Sequence, residues 1–548
     1  MTKLFRGAIL SAILFGLFLS QSKIAQAQTV KDRAAVVIKI KSVDDLLDSV
    51  AYIVGAAGFR NFVPAITLGA GAFLEGMDTA RPIGGYMTLD DGVPNFVGFL
   101  PVDDLEDVID MLENNGIEIE EDGDDYIVIS PTGEEIIIRG KGEWAFVSVN
   151  AEMLEDLPAD PSKMVSDISD EYVFAVKANV QRVPADMRSM AIELMEQAFD
   201  ETYDNLPPAA GDFQRQVNEN SLDQLASMIQ ESDELLMGMA ADKKGKRLYM
   251  DLSFTGVKGS ELAKSLTVSK GAKTAFSNFL EMKDAAMSMN FTQKATEKDV
   301  ESTKGVLAPF KDQIGSLLEQ DSNFGDEDID LVEGLVVAVM DALIATVDTG
   351  SIDMGGAVLI DDEGLNVVAA GRLTDAKKVE AEVKKIAKAR GDRLPPQIDF
   401  ELDAMTYKGV TFHTLSGSIP EANAQEVLGE TTTLVVGIAA EKLYVGFGVD
   451  PIAKLKKAID TKSSKAADHL GQVNMTLSPI LRMASQASGE QMLADMADQL
   501  EDEGNQMIRM TSDVIENGQK TRFELQEGIL SLIQMGASGL GGGFGGDF

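Results

Sequence analysis

One pattern recurs four times along this chain and constrains its fold more than any other feature. It is a pair of strand-like runs joined by a turn rich in Asp, Gly or Lys, followed by a helical run. The copies lie at residues 84–112, 236–266, 354–383 and 507–533. A strand that turns into a helix precedes each copy, beginning at Val36, Val173, Met287 and Val473. Further strand-rich segments follow the first and third copies, at residues 126–157 and 398–459. Elements recurring in a fixed order are the mark of internal duplication.

Strands joined by short turns pair antiparallel. The expected fold class is therefore α+β: two tandem related units, each an antiparallel β-sheet with helices packed on one face. The first unit is expected at residues 28–270 and the second at 286–536, with a linker at 271–285 and a flexible Gly-rich tail at 537–548. Local signals agree. Leu248, Met250, Leu252 and Phe254 alternate with Tyr249, Asp251 and Ser253, the period of a half-buried strand. Leu105, Val108, Ile109 and Leu112 fall at helical spacing after Asp103 or Asp104 as cap, and Gly116 closes that run.

The N-terminus sets the compartment. Lys3 and Arg6 precede an uncharged apolar run from Ile9 to Leu19, and Ala25-Gln26-Ala27 supplies a small–x–small cleavage pattern. This is a secretory signal peptide, residues 1–27, cut after Ala27. The apolar run falls short of the roughly 20 residues that span a bilayer. The expected location is periplasmic or extracellular, with no transmembrane span after cleavage. The exported body is long enough to build large cores without disulfides, and the chain has no Cys.

Its formal net charge is −41. Such a surface repels nucleic acid and anionic membranes, so nucleic acid is excluded as a partner. The hydrophobic fraction of 45% is that of a globular protein and argues against wholesale disorder.

Residues that carry chemistry are scarce. The chain has two histidines, His413 and His469. His413 sits in a strand-like run, and its alternation places it on either a core or a surface face. His469 is expected in an exposed loop. No H-E-x-x-H, G-x-S-x-G or phosphate-binding G-x-x-x-x-G-K-[ST] motif occurs. Asp122, Asp124 and Asp125, and the cluster Asp321, Asn323, Asp326, Asp328 and Asp330, raise the question of calcium. Neither has the glycine and glutamate spacing of a calcium-binding loop. No catalytic, cofactor or metal residue is assigned, and no cofactor is expected.

Two features point to binding instead. Between Ala51 and Leu74 the only charge is Arg60. This stretch is either a buried helix pair or an apolar contact surface using Phe59, Phe62 and Phe73. Matched helices also contrast in charge. Asp103, Asp104, Glu106, Asp107, Asp110 and Glu113 in the first unit correspond to Lys377, Lys378, Lys384, Lys385 and Lys388 in the second. Opposite potentials on equivalent surfaces provide electrostatic docking, unless both faces are merely solvated.

With its signal peptide, acidic body and Gly-rich tail, the chain resembles the large uncharacterised exported proteins of bacterial cell envelopes. The resemblance is one of overall character and transfers no site residues. The expected function is non-catalytic binding or scaffolding in the envelope, with a hydrophobic ligand or an envelope protein as partner. The alternatives are a carrier of lipid or other hydrophobic cargo, and a hydrolase working with carboxylates alone.

Overall fold

The computed structural model describes residues 30–71, 73–90, 92–129, 135–203, 222, 225–283, 285–319, 326–361, 364–390, 398–421, 425, 427–460 and 465–532. The expected signal peptide and Gly-rich tail lie outside the described residues. The chain is α+β and divides into two compact units. The first takes residues up to Met195 together with Met228–Gly256, and the second takes Glu196–Ser227 and Val257–Met535.

In the first unit the strands are β1 (Ala34–Ile40), β2 (Ile83–Asp90), β3 (Val93–Pro101), β4 (Ile119–Asp122), β5 (Asp125–Ile129), β6 (Glu135–Gly140), β7 (Trp144–Ser148), β8 (Phe174–Asn179), β9 (Ser232–Asp242) and β10 (Arg247–Gly256). They lie in the order β10-β9-β8-β1-β2-β3-β7-β6-β5-β4, each pair antiparallel.

The second unit opens with a two-residue strand, β11 (Lys273–Thr274), and contains β12 (Ala285–Lys294), β13 (Ser351–Asp361), β14 (Gly364–Arg372), β15 (Ile398–Tyr407), β16 (Val410–Ser418), β17 (Thr431–Ile438), β18 (Lys442–Gly448), β19 (Lys465–Ala466), β20 (Gly471–Thr476), β21 (Met507–Ile515) and β22 (Gly518–Gln526). β11 pairs with β19. The others run β22-β21-β20-β12-β13-β14-β18-β17-β16-β15, again antiparallel throughout. Strand for strand the two orders match, β1–β7 with β12–β18 and β8–β10 with β20–β22.

Local chemistry accounts for the element ends. Ser42 caps the helix Val43–Ala56 by accepting from the Asp45 amide, and Asp104 caps Leu105–Asn114 by accepting from Glu106. Asn517, at φ 54°, takes up the left-handed conformation that Asn tolerates, in the two-residue turn from β21 to β22.

The core of the first unit lies between one sheet face and an irregular strap, residues 150–172, that carries two short 3-10 turns. Val37, Tyr86, Phe99, Phe146 and Ala175 meet Leu154, Leu157, Met164, Val165 and Ile168 from the strap. Irregular backbone cannot satisfy its own carbonyls, so the strands supply partners. Lys39 donates to the Ile168 carbonyl at 2.8 Å and pairs with Asp170 at 2.6 Å. Lys177 pairs with Asp167, and the Tyr172 hydroxyl donates to Asp251 at 2.8 Å. The second unit repeats the arrangement with a different strap. Phe276 and Phe279 pack on Ala357, Val368, Phe412, Val435 and Tyr444, and Asn290 donates to Thr274 at 2.8 Å and to the Met354 carbonyl at 3.0 Å.

Two expectations need correction. Residues 271–285 are not a linker: Phe276 and Phe279 are buried in the core of the second unit. Nor do helices keep to one face. In the second unit, Pro451–Asp460 places Leu455 and Ala458 against Val368, Val435 and Tyr444. Ala376–Arg390 places Ala376 and Val379 on the other side, against Val436, Ile438 and Leu443. β17 and β18 carry apolar side chains at successive positions, so both of their faces attract cover.

Candidate functional site: a partly exposed apolar face in each unit

The face opposite each strap is the unusual feature. In the first unit its side chains follow the pairing register in unbroken apolar rows. One row runs Leu252, Met237, Val176, Ile38, Gly85, Gly98, Val147. The row beside it runs Phe254, Leu235, Ala178, Val36, Met87, Phe96. On the other flank lie Met250, Met239, Phe174, Ile40 and Ile83. None of these side chains is ionisable. Most are only half-buried, and Phe96, Leu235, Met239 and Leu252 are exposed.

The second unit carries the same device. One row runs Leu525, Ile508, Met475, Met287, Val358, Val367, Phe447, Leu434, Leu415. The next runs Phe523, Met510, Val473, Met289, Gly356, Ala369, Val445, Val436 and ends on His413, where the helix Ala376–Arg390 covers it. Phe291, Met354, Val367, Leu434, Val445, Phe447 and Phe523 on this face are all exposed. Val367 retains 37% of its accessible surface while its neighbour Val368, on the strap side, retains 1%.

The amphipathicity of these strands is thus inverted. Buried Lys39, Lys177, Asp251, Asn290 and Asp353 lie under the straps, and in each unit the apolar side keeps exposed side chains while a helix covers the end of its rows, Leu105–Asn114 at Val147 and Ala376–Arg390 at Val436. With strands about 4.8 Å apart, the seven-strand row of the first unit is roughly 29 Å long. Methionine is frequent on both faces, and its flexible thioether adapts to irregular apolar ligands.

The polar clusters behave differently. His413 is buried on β16, beneath the helix that carries Glu380. Its Nδ1 accepts the Asp403 amide at 3.1 Å, which puts the proton of the neutral ring on Nε2. Nε2 lies 3.8 Å from Glu380 Oε1 and has no hydrogen-bond partner. Glu380, Asp403 and His413 lie close enough together to suggest a metal site. Two observations oppose that reading. The Lys384 ammonium stands 2.9 Å from both Glu380 and Asp403 and fills the place of a cation. Coordination at Nε2 would also drive the ring proton onto Nδ1, where the Asp403 amide already donates.

Burial pushes the His413 imidazole down from its ordinary value, against the pull of Asp403 and Glu380. Burial would raise the Glu380 carboxyl, but hydrogen bonds from Lys377 and Lys384 outweigh it and hold the group below the usual carboxylate range. Both shifts act in the same direction on stability. Below about pH 6.5 the unfolded chain takes up a proton at His413 that the folded chain refuses, so stability falls with pH. The Glu380 contribution is intact above about pH 4.3 and is lost as pH drops through the lowered folded value. The melting temperature is therefore expected to decline from pH 6.5 to pH 5. His413→Gln should flatten that decline in thermal scans across the range, and an unchanged slope would contradict the assignment.

A cavity of about 490 Å³ on the strap side of the second unit is lined by Phe276, Phe279, Val410 and Tyr444, with Lys408 and Lys442 beside them. Lys408 pairs with Asp460 at 2.7 Å, and the Lys442 ammonium lies 5.4 Å above the Phe276 ring.

The residues singled out in the sequence fall in two places. Phe59 and Phe62 pack edge to face at 6.2 Å, and Phe62 and Phe73 are exposed. Of the five lysines, Lys377 pairs with Glu380, Lys378 with Asp375, Lys384 with Glu380 and Asp403, and Lys385 with Glu382. Lys388 is exposed. His469, expected exposed, is half-buried and lies 2.8 Å from Asp513. Sequence reasoning missed the open faces altogether. The alternation over residues 248–254 was legible, but it is Tyr249 and Asp251 that are buried and Leu252 that is exposed.

No protein-family model matches the chain, and no curated protein matches it. A solved chain described as "Structure of crystal form I of TP0453" is similar at 11% identity and a TM-score of 0.21, over 42% of this chain and 79% of that one. At that TM-score the likeness carries no argument. No helix among the described residues is long and apolar enough to cross a membrane.

Proposed function

We propose that the protein is an exported, non-catalytic carrier that holds lipid acyl chains on the open sheet faces of two units related by duplication. The observation that carries this reading is the inversion of the strands: polar side chains are buried under the straps, and large apolar ones such as Phe96, Leu252, Val367 and Phe447 stay exposed on the other side. An acyl chain spans about half of the roughly 30 Å bilayer core, or some 15 Å, and either face accommodates that length. The rows of the first unit hold no group able to donate or accept a proton, and in the second unit His413, next to Val436 in its row, is buried beneath Glu380, which favours binding over reaction. The matching strand orders support duplication, and residues 1–27 support export. The net charge of −41 disfavours nucleic acid as a partner.

Native mass spectrometry of the chain from Gln28 to Phe548, purified from its own export compartment, tests the proposal. An apolar adduct that solvent extraction removes is the expected result. A clean mass, together with no uptake of a fluorescent fatty acid by the stripped protein, would reject it.

A further inference from the structure

The apolar stretch after the first helix carries a separate inference. The helix Val63–Gly71 contains no buried residue. It leans on Val43–Ala56, and its half-buried positions Val63, Ile66 and Ala70 fall on that one side. The exposed positions Pro64, Ala65, Thr67, Leu68, Gly69 and Gly71 sweep an arc of about 200° at 100° per residue. Phe62, Leu68 and Phe73 are 61%, 78% and 51% exposed.

From these observations we infer that residues 59–71 together with Phe73 form a membrane-docking tip that sinks into the surface of a bilayer of zwitterionic lipid. A protein groove covers one stripe of a helix, whereas this helix is exposed and uncharged over more than half its circumference, with the Thr67 hydroxyl turned onto the Val63 carbonyl. The acyl layer is the solvent that surrounds such a tip on every open side. A nine-residue helix is too short to span a bilayer and suits burial to about 5–10 Å. Arg60, the only charge between Ala51 and Leu74, lies in the turn Arg60–Phe62 that joins the two helices, and its long side chain can carry the guanidinium up to the headgroups. The chain's charge of −41 repels anionic lipid, which selects the zwitterionic surface. The tip stands on its own geometry, and the carrier reading supplies only its use, collecting and delivering acyl ligands.

Flotation of the purified exported chain with phosphatidylcholine vesicles tests this, alongside the triple variant Phe62→Ser, Leu68→Ser, Phe73→Ser. The native chain is expected to float, and the variant about tenfold less or weaker still, with unchanged circular dichroism and unchanged bound ligand. Ligand load is measured on the same samples, so a failure of the carrier reading is seen separately from a failure of the tip. In a second variant, Phe62→Trp, brominated phosphatidylcholine should quench the new tryptophan. Trp144, the one native tryptophan, is buried and should stay unquenched. Equal flotation of native and triple-variant chains overturns the inference, as does no flotation of the native chain. So does a native dimer that the triple variant dissolves into monomers, because a second copy would then cover the tip.

Discussion

Val367→Asp is expected to leave the fold standing and empty the second unit of ligand, whereas Val368→Asp, one position further on, should unfold that unit. The two side chains leave the same strand in opposite directions. Val368 is in the core with Phe279, Tyr444 and Leu455. A carboxylate there has no partner and no water, and such a buried unpaired charge costs several kcal/mol. That is a large part of the roughly 5–15 kcal/mol by which a domain is stable. Val367 keeps over a third of its surface, so an Asp there reaches solvent and costs about 1 kcal/mol or less. It also places a charge in the middle of the longest apolar row, between Val358 and Phe447. Denaturant titration gives the stability of each variant, and native mass spectrometry gives its ligand load. If Val367→Asp unfolded the unit as readily as Val368→Asp, both faces would be core and the carrier reading would fall.

This contrast shows where the sequence stops being legible. Strands and a capped helix could be read from the alternation of Leu248–Phe254 and from Asp104. Period two separates two faces but does not say which is buried. Tyr249 and Asp251 appear polar and outward, yet they are buried because an irregular strap distant in sequence needs polar partners. Asp251 meets Tyr172 and Lys39 meets the Ile168 carbonyl, pairings 79 and 129 residues apart. No local window contains that information. The lysines of Ala376–Arg390 illustrate the reverse case. Their partners Glu380 and Glu382 are three or four residues away, so the ion pairs were available from helical spacing alone. Exposed pairs of this kind contribute little to stability, and they reduce the free positive charge that docking would use.

Residues 271–285 give the second large effect. Gly and Lys at their start suggest a tether, yet Phe279 is fully buried and crowded. A Cβ built on Gly355 of the facing strand would lie 2.8 Å from Phe279 Cδ2, so the ring fits a space that only glycine leaves open. Phe279→Ala should therefore cost the second unit about 3–5 kcal/mol, the range for emptying a packed aromatic site. The loss extends beyond the ring. The same strap places the Ala275 amide 2.8 Å from Asp353, a carboxyl that burial pushes up. When the strap loosens, that amide leaves and Asp353 remains under the sheet with its other oxygen already unpartnered. Urea titration of Phe279→Ala against the native chain measures the effect. A cost below about 1 kcal/mol is what a tether on the surface would give, and it would return the segment to the role of linker.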